Sequence, residues 1–291
     1  MKRLIGHAAL FLSGMLVVCS RHDYNAIGRM HVYNIQRHND SLYFSTSDSG
    51  IFRFSLDAPG TLYRVARSGA LPIRSIIFSR EGTLYAASYT SGVHYVSGDT
   101  LLPVAGFPQQ AWSIKCGPDG ELWLAGLHGI FRQQSNGMVL FNRMGDVHDI
   151  AFRGNEVAVA HRNGISLFDR QSGALVREFC KGIVCWTMTV HGSLLIGGGL
   201  NVCVIIGKDG CATVGFGPKG NIVWSTALDN AGRLYLGTQK GLYRSDRGAG
   251  TARCVGYNGI CIKSLLIDNK GRLWVGRFAG PQKMSFFGTG R

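Results

Sequence analysis

Apolar residues in this chain come in short runs separated by glycine-centred turns. No stretch keeps helical spacing over three turns. The clearest instance is Gly232-Arg-Leu-Tyr-Leu-Gly-Thr-Gln-Lys-Gly-Leu-Tyr-Arg244. Leu234, Tyr235 and Leu236 form the core of one strand, Gly237 lets a neighbouring backbone come close, and Gly241 turns the chain into Leu242 and Tyr243. This pattern reads as a β-hairpin, and it recurs. Its leading apolar pair aligns with Leu42-Tyr43, Leu84-Tyr85, Leu122-Trp123, Val157-Ala158, Leu194-Leu195 and Leu273-Trp274, at intervals of 35 to 42 residues. A strand-like segment precedes each copy: 32–35, 73–76, 111–114, 147–150, 185–188, 223–226 and 262–265. Two more short apolar runs follow the phrase, as in Leu242-Tyr243 and 252–255.

Four short strands in each unit of about 40 residues are the pattern of a propeller blade. The predicted fold is therefore all-β: a seven-bladed β-propeller of four-stranded antiparallel blades, centred on Leu42, Leu84, Leu122, Val157, Leu194, Leu234 and Leu273. Residues 20–291 would form this single domain. One unit cannot bury both faces of its sheet, so the blades must stack into a ring. Residues 23–28 sit where an outer strand falls in the repeat, and they are expected to close the last blade beside residues 283–287.

The phrases Asp229-Asn-Ala-Gly-Arg-Leu-Tyr-Leu-Gly-Thr-Gln-Lys-Gly-Leu-Tyr-Arg244 and Pro118-Asp-Gly-Glu-Leu-Trp-Leu-Ala-Gly-Leu-His-Gly-Ile-Phe-Arg132 resemble the two-component-regulator propeller repeat. The match is strong in the sixth and third units, fair in the first, second and seventh, and weak in the fourth and fifth. The resemblance implies a periplasmic sensor module that binds glycan fragments. The chain departs from that plan in lacking a second hydrophobic span, a kinase and a DNA-binding region, so signalling in cis is not expected of it.

The first nineteen residues stand apart. Lys2 and Arg3 precede a mostly apolar run from Leu4 to Val18, short of the usual membrane-span length and in keeping with an export signal. The run ends at Val18-Cys19-Ser20, which resembles a bacterial lipobox, although Val18 is larger than the usual small residue before the cysteine. A lipidated Cys19, an ordinary signal peptide and an uncleaved anchor are the three readings. Each exports the protein, to the periplasm or to the cell surface as a lipoprotein, with membrane attachment only through this segment. Seven further cysteines include three close pairs, Cys180/Cys185, Cys203/Cys211 and Cys254/Cys261, with Cys116 left over. An exported compartment permits disulfides there, and burial as small hydrophobes is the alternative. No C-x-x-C occurs, which argues against structural zinc.

Charged residues are sparse at 16%, yet the net charge is +14. That balance favours anionic partners. The basic residues do not cluster as in nucleic-acid arms, and export also argues against that partner. In a propeller the inner strands converge on a central funnel. The position before the small polar residue of each inner strand reads Tyr33, Arg74, Trp112, His148, Trp186, Trp224 and Lys263. Aromatic faces beside two cations suit a sugar ring carrying an acid group. The next position reads Asn34, Ser75, Ser113, Asp149, Thr187, Ser225 and Ser264, small polar groups able to direct hydrogen bonds. The expected function is binding of an anionic or glycan-like small molecule in this funnel, with no cofactor and no metal.

Two alternatives stand beside it. His128, His148 and His161 could meet on one side of the funnel and serve a lyase or hydrolase acting on a polysaccharide or ester. The rim could instead dock an envelope protein partner. No G-x-S-x-G elbow, phosphate loop or H-E-x-x-H motif is present.

Overall fold

The computed structural model describes residues 15–16, 30–57, 62–69, 71–135, 137–208, 210–247, 249–278 and 288–289. No helix occurs among them. The first repeat is an antiparallel meander of Val32–His38, Ser41–Thr46, Ile51–Ser55 and Leu62–Ala66, and the next three repeat that order. The fifth and sixth do so too. Their outermost strands, Cys211–Phe216 and Thr251–Gly256, pair in parallel at Gly215–Thr251 and merge the two sheets into one of eight strands. The last repeat is described only as Cys261–Ile267 paired with Leu273–Phe278. Met15–Leu16 pairs with Gly288–Thr289. The expected closing segments, 23–28 and 283–287, lie outside the described residues.

The core sits between sheets, because each sheet has two apolar faces and no helix to cover either. Every cluster of buried side chains is shared by two consecutive repeats. Ile51 of the first joins Ile73, Ile76 and Leu84 of the second, and Trp123 of the third joins Val147, Ile150 and Val157 of the fourth. Trp274 of the last repeat completes a cluster with Val32, Ile35, Leu42 and Phe44 of the first, so the packing is cyclic.

The first strand of each repeat lies innermost, and the small polar residues predicted there stitch these strands together. Asn34 Oδ1 accepts from the Ile76 amide at 3.2 Å, and Ser75 Oγ accepts from Ile114 at 3.3 Å. Asp149 Oδ2 accepts from Met188 at 2.9 Å, and Ser225 Oγ from Leu265 at 2.9 Å. Ser264 Oγ accepts from Ile35 at 3.0 Å, which joins the last inner strand to the first. A buried amide without such an acceptor costs about 1–3 kcal/mol, so these side chains are committed to the ring and not to a ligand.

The repeat register differs from the sequence alignment in one unit. Ser225 opposes Gly237 and Ser264 opposes Gly276, whereas Thr187 opposes Gly198. The fifth equivalent of Leu234 is therefore Leu195, which is fully buried, and not Leu194, which is half-buried.

Candidate functional site

Every inner strand carries the same irregularity. Its ladder with the second strand slips by one residue, between Val32 and Asn34, Ile73 and Ser75, Ala111 and Ser113, Val147 and Asp149, Cys185 and Thr187, Val223 and Ser225, and Ile262 and Ser264. The residue skipped is in turn Tyr33, Arg74, Trp112, His148, Trp186, Trp224 and Lys263. A bulge leaves one residue out of the ladder and re-aims its side chain. Here it aims the seven predicted site residues at the axis.

They meet there as one continuous belt. The Arg74 guanidinium lies 5.2 Å from the Tyr33 ring and 4.7 Å from that of Trp112. Trp112 meets His148 edge-on at 5.8 Å, His148 stacks on Trp186 at 3.9 Å, and Trp186 leans on Trp224 at 5.2 Å. Lys263 Nζ sits 3.0 Å above the Trp224 ring. The belt lies between two cavities. The upper one, about 400 Å³, adds Gln239, Cys261 and Phe278 to its wall. The lower one, about 390 Å³, follows the inner strands to Gln36, Lys115, Phe152 and Leu266. Of the chain's tryptophans, Trp123 and Trp274 pack in the core clusters, whereas Trp112, Trp186 and Trp224 belong to none of them.

The charge distribution is one-sided. No carboxylate lines the upper cavity among the described residues. Arg74 and Lys263 have rings and no acidic partner there. Burial, reinforced by the like charge of Arg74, pulls the Lys263 ammonium down to about 8, with the Cys261 thiol opposing the shift. Arg74 Nε and Trp112 Nε1 are buried donors with no hydrogen-bond partner among the described residues. Gln239, from the second hairpin loop of its repeat, accepts from Trp224 Nε1 at 2.9 Å and from the Cys261 thiol at 3.6 Å. In the lower cavity the one lining carboxylate, Asp149, is neutralised by Lys115 at 3.0 Å and also accepts from Ser113 at 2.7 Å. A carboxylate pair of the kind glycosidases use is therefore not assembled in this lining.

The three predicted histidines do not come together. His148 is in the belt: its Nδ1–H donates to the Cys185 carbonyl at 2.7 Å and its Nε2 faces Asp146 Oδ1 at 3.5 Å, while burial lowers its pKa against the pull of both contacts. His161 is buried inside its own repeat, where Nε2–H donates to Ser166 at 3.0 Å and Nδ1 accepts from the Asn163 amide. Its spacing within a loop gave no warning of that, because the strand continues through it. His128 is exposed and lines neither cavity. Among the described residues no group of His, Cys, Asp or Glu is arranged to hold a metal ion. Tyr89 leans on Trp112 at 4.6 Å, and Gln239 and Phe278 line the upper cavity beside the belt.

No protein-family model matches the chain, and no curated protein sequence is significantly similar to it. Solved structures do match. The extracellular domain of the putative one component system BT4673 from B. thetaiotaomicron superposes with a TM-score of 0.71 at 15% identity, over 95% of this chain and 40% of that one. The WD40 β-propeller domain of Doa1 gives 0.72 at 13% identity, over 89% and 93% of the two chains. The fold is a β-propeller. A catalytically inactive virginiamycin B lyase from Staphylococcus aureus, solved with quinupristin, gives 0.71 at 14% identity, over 89% of this propeller and 95% of that chain. The propeller spans about two fifths of the BT4673 chain. At these identities the likeness establishes the fold alone, and the belt residues carry the argument about function.

Proposed function

We propose that the chain is an exported seven-bladed propeller that binds an anionic, carbohydrate-like small molecule in its upper cavity. One observation carries this reading: a bulge in each inner strand delivers four aromatic rings, a histidine and two unneutralised cations to one cavity wall. About 400 Å³ falls in the range of small-ligand pockets. The wall is polarised. Lys263, Tyr33 and Arg74 are consecutive around the belt, and the other arc runs Trp112, His148, Trp186 and Trp224. A ligand would set its acid group over Tyr33, between the cations, and lay a ring face against Trp186 and Trp224. Cations held on aromatic faces keep their charge available for an incoming anion. The cyclic core and the Ser264–Ile35 hydrogen bond support the blade number. The lipobox-like Val18-Cys19-Ser20 and the apolar run before it support export, to the periplasm or as a surface lipoprotein.

The test is a glycan array probed with the chain from residue 20, with uronic acid and sulfated glycans included. The expected result is retention on acidic glycans that the Trp186→Ala/Trp224→Ala double variant loses, with its thermal midpoint within a few degrees of the parent. Loss of folding in that variant would assign the tryptophans to packing, and indifference of the array to glycan charge would sink the anionic reading.

A further inference from the structure

We propose that Cys180 and Cys185 form a redox-active pair whose disulfide resets the channel wall at Trp186. The inference goes beyond ligand binding and is testable without a ligand. The two thiols are free, and Cys180 packs against the buried cluster that contains Cys185. They flank a turn closed by the Ile183 amide on the Cys180 carbonyl at 3.0 Å. The other two sequence pairs are placed differently. Across their ladder Cys203 opposes Val214 and Cys211 opposes Ile206. Cys254 is exposed on an outermost strand, while Cys261 faces Gln239 in the upper cavity.

Cys185 is wired to the belt twice. Its carbonyl holds the His148 ring at 2.7 Å, and its chain neighbour is Trp186, the bulged residue stacked on that same ring at 3.9 Å. Bonding the Cys185 side chain to the turn at Cys180 ties this backbone to a new anchor, and both rings respond. The chemistry is divided between the two sulfurs. Cys180 is half-buried, and the hydrogen bond from Cys185 brings its thiol down to about 7, which makes it the attacking thiolate. Cys185 is buried with its thiol pushed up, first by that hydrogen bond, which makes it the resolving partner.

The oxidant is a low-molecular-weight disulfide. The Cys180 thiolate attacks one of its sulfurs and expels one small thiolate, which takes up the proton that Cys180 had released. Cys185 then attacks Cys180 Sγ of the mixed disulfide, and its proton leaves with the second small thiol. Two protein thiols lose two electrons, and the small disulfide becomes two thiols.

The test equilibrates the chain across ratios of oxidised to reduced glutathione, quenches with acid, alkylates free thiols and maps the digest by mass spectrometry, with tryptophan emission read on the same samples. The expected result is a Cys180–Cys185 crosslink, and an emission change with the same midpoint that is absent from Cys180→Ser and from Trp186→Phe. A crosslink from Cys185 to Cys203, no crosslink at any ratio while circular dichroism reports a folded chain, or a crosslink without a Trp186-dependent emission change would overturn it.

Discussion

The belt is a one-residue device repeated around the axis, and its chemistry lies in which residue each bulge carries. Lys263 shows how far burial sets that chemistry. Its ammonium sits on Trp224 and shares the cavity with Arg74, and burial brings it down to about 8 from an ordinary 10.5. Two consequences run in opposite directions. Binding of an acid group needs the protonated form, so affinity for an acidic glycan should fall as pH rises through about 8. Stability should rise over the same interval: between about 8 and 10.5 the unfolded chain holds more protons than the folded one, and raising the pH removes the penalty of a buried charge. Lys263→Met should flatten both responses, lower affinity at least tenfold at pH 7 and leave the melting temperature no lower. Calorimetric titration and thermal melts at pH 7 and 9 check this, and an affinity that ignores pH would remove Lys263 from the site. At this scale the sequence was legible in its columns, since alignment put Tyr33, Arg74, Trp112, His148, Trp186, Trp224 and Lys263 in one position. It was silent on the bulge that aims them, because a ladder slip leaves no mark on residue type. It also offered Ser75, Ser225 and Ser264 to a ligand, when neighbouring strands had already claimed them.

At the scale of strands and hairpins, the small residue of the second strand decides how closely the next blade can approach. A β-carbon on Gly237 would stand 2.8 Å from Ile262 Cγ2, and one on Gly276 would stand 2.8 Å from Val32 Cγ1. Both values are far inside van der Waals contact, and the neighbouring atoms belong to β-branched residues with little rotamer freedom. Gly276→Val should therefore cost about 1–3 kcal/mol by overpacking, seen as a lower melting temperature by several degrees. Gly256→Val, on an outermost strand where an added β-carbon would meet nothing within 4 Å among the described residues, should be nearly neutral. Equal melts for the two variants would mean that this close approach does not limit the joint. The sequence exposed these hairpins through their glycine punctuation, and it failed where glycine became too frequent. In the fifth repeat Gly197, Gly198 and Gly199 give no side-chain signal to set a register, so the first leucine was matched where the second occupies the buried position.

At the scale of the whole molecule, the open question is what completes the last sheet. Its two described strands already have the packing of interior strands: Leu273, Val275 and Ile262 are buried against the sixth repeat, and Trp274 against the first. An unpaired edge on such a strand is costly and prone to association. Two closures are distinguishable. One uses Met15–Leu16 on Gly288–Thr289, which draws on the stretch that the sequence reads as an export signal. The other uses residues 23–28, which survive removal of that signal. The repeat favours the second, because an outer strand belongs at that distance before the first inner strand. Removing residues 1–19 should then leave the melting temperature within a few degrees, while removing 1–29 should lower it sharply and broaden the transition as the ring opens. Equal melts for all three chains would exclude closure by the N-terminal segment, and a large loss on removing 1–19 alone would place the closing strand in the leader itself. The result also bears on the site, since Lys263, Tyr33 and Phe278 meet at this joint, and an open ring would spread the cationic arc before any ligand reached it.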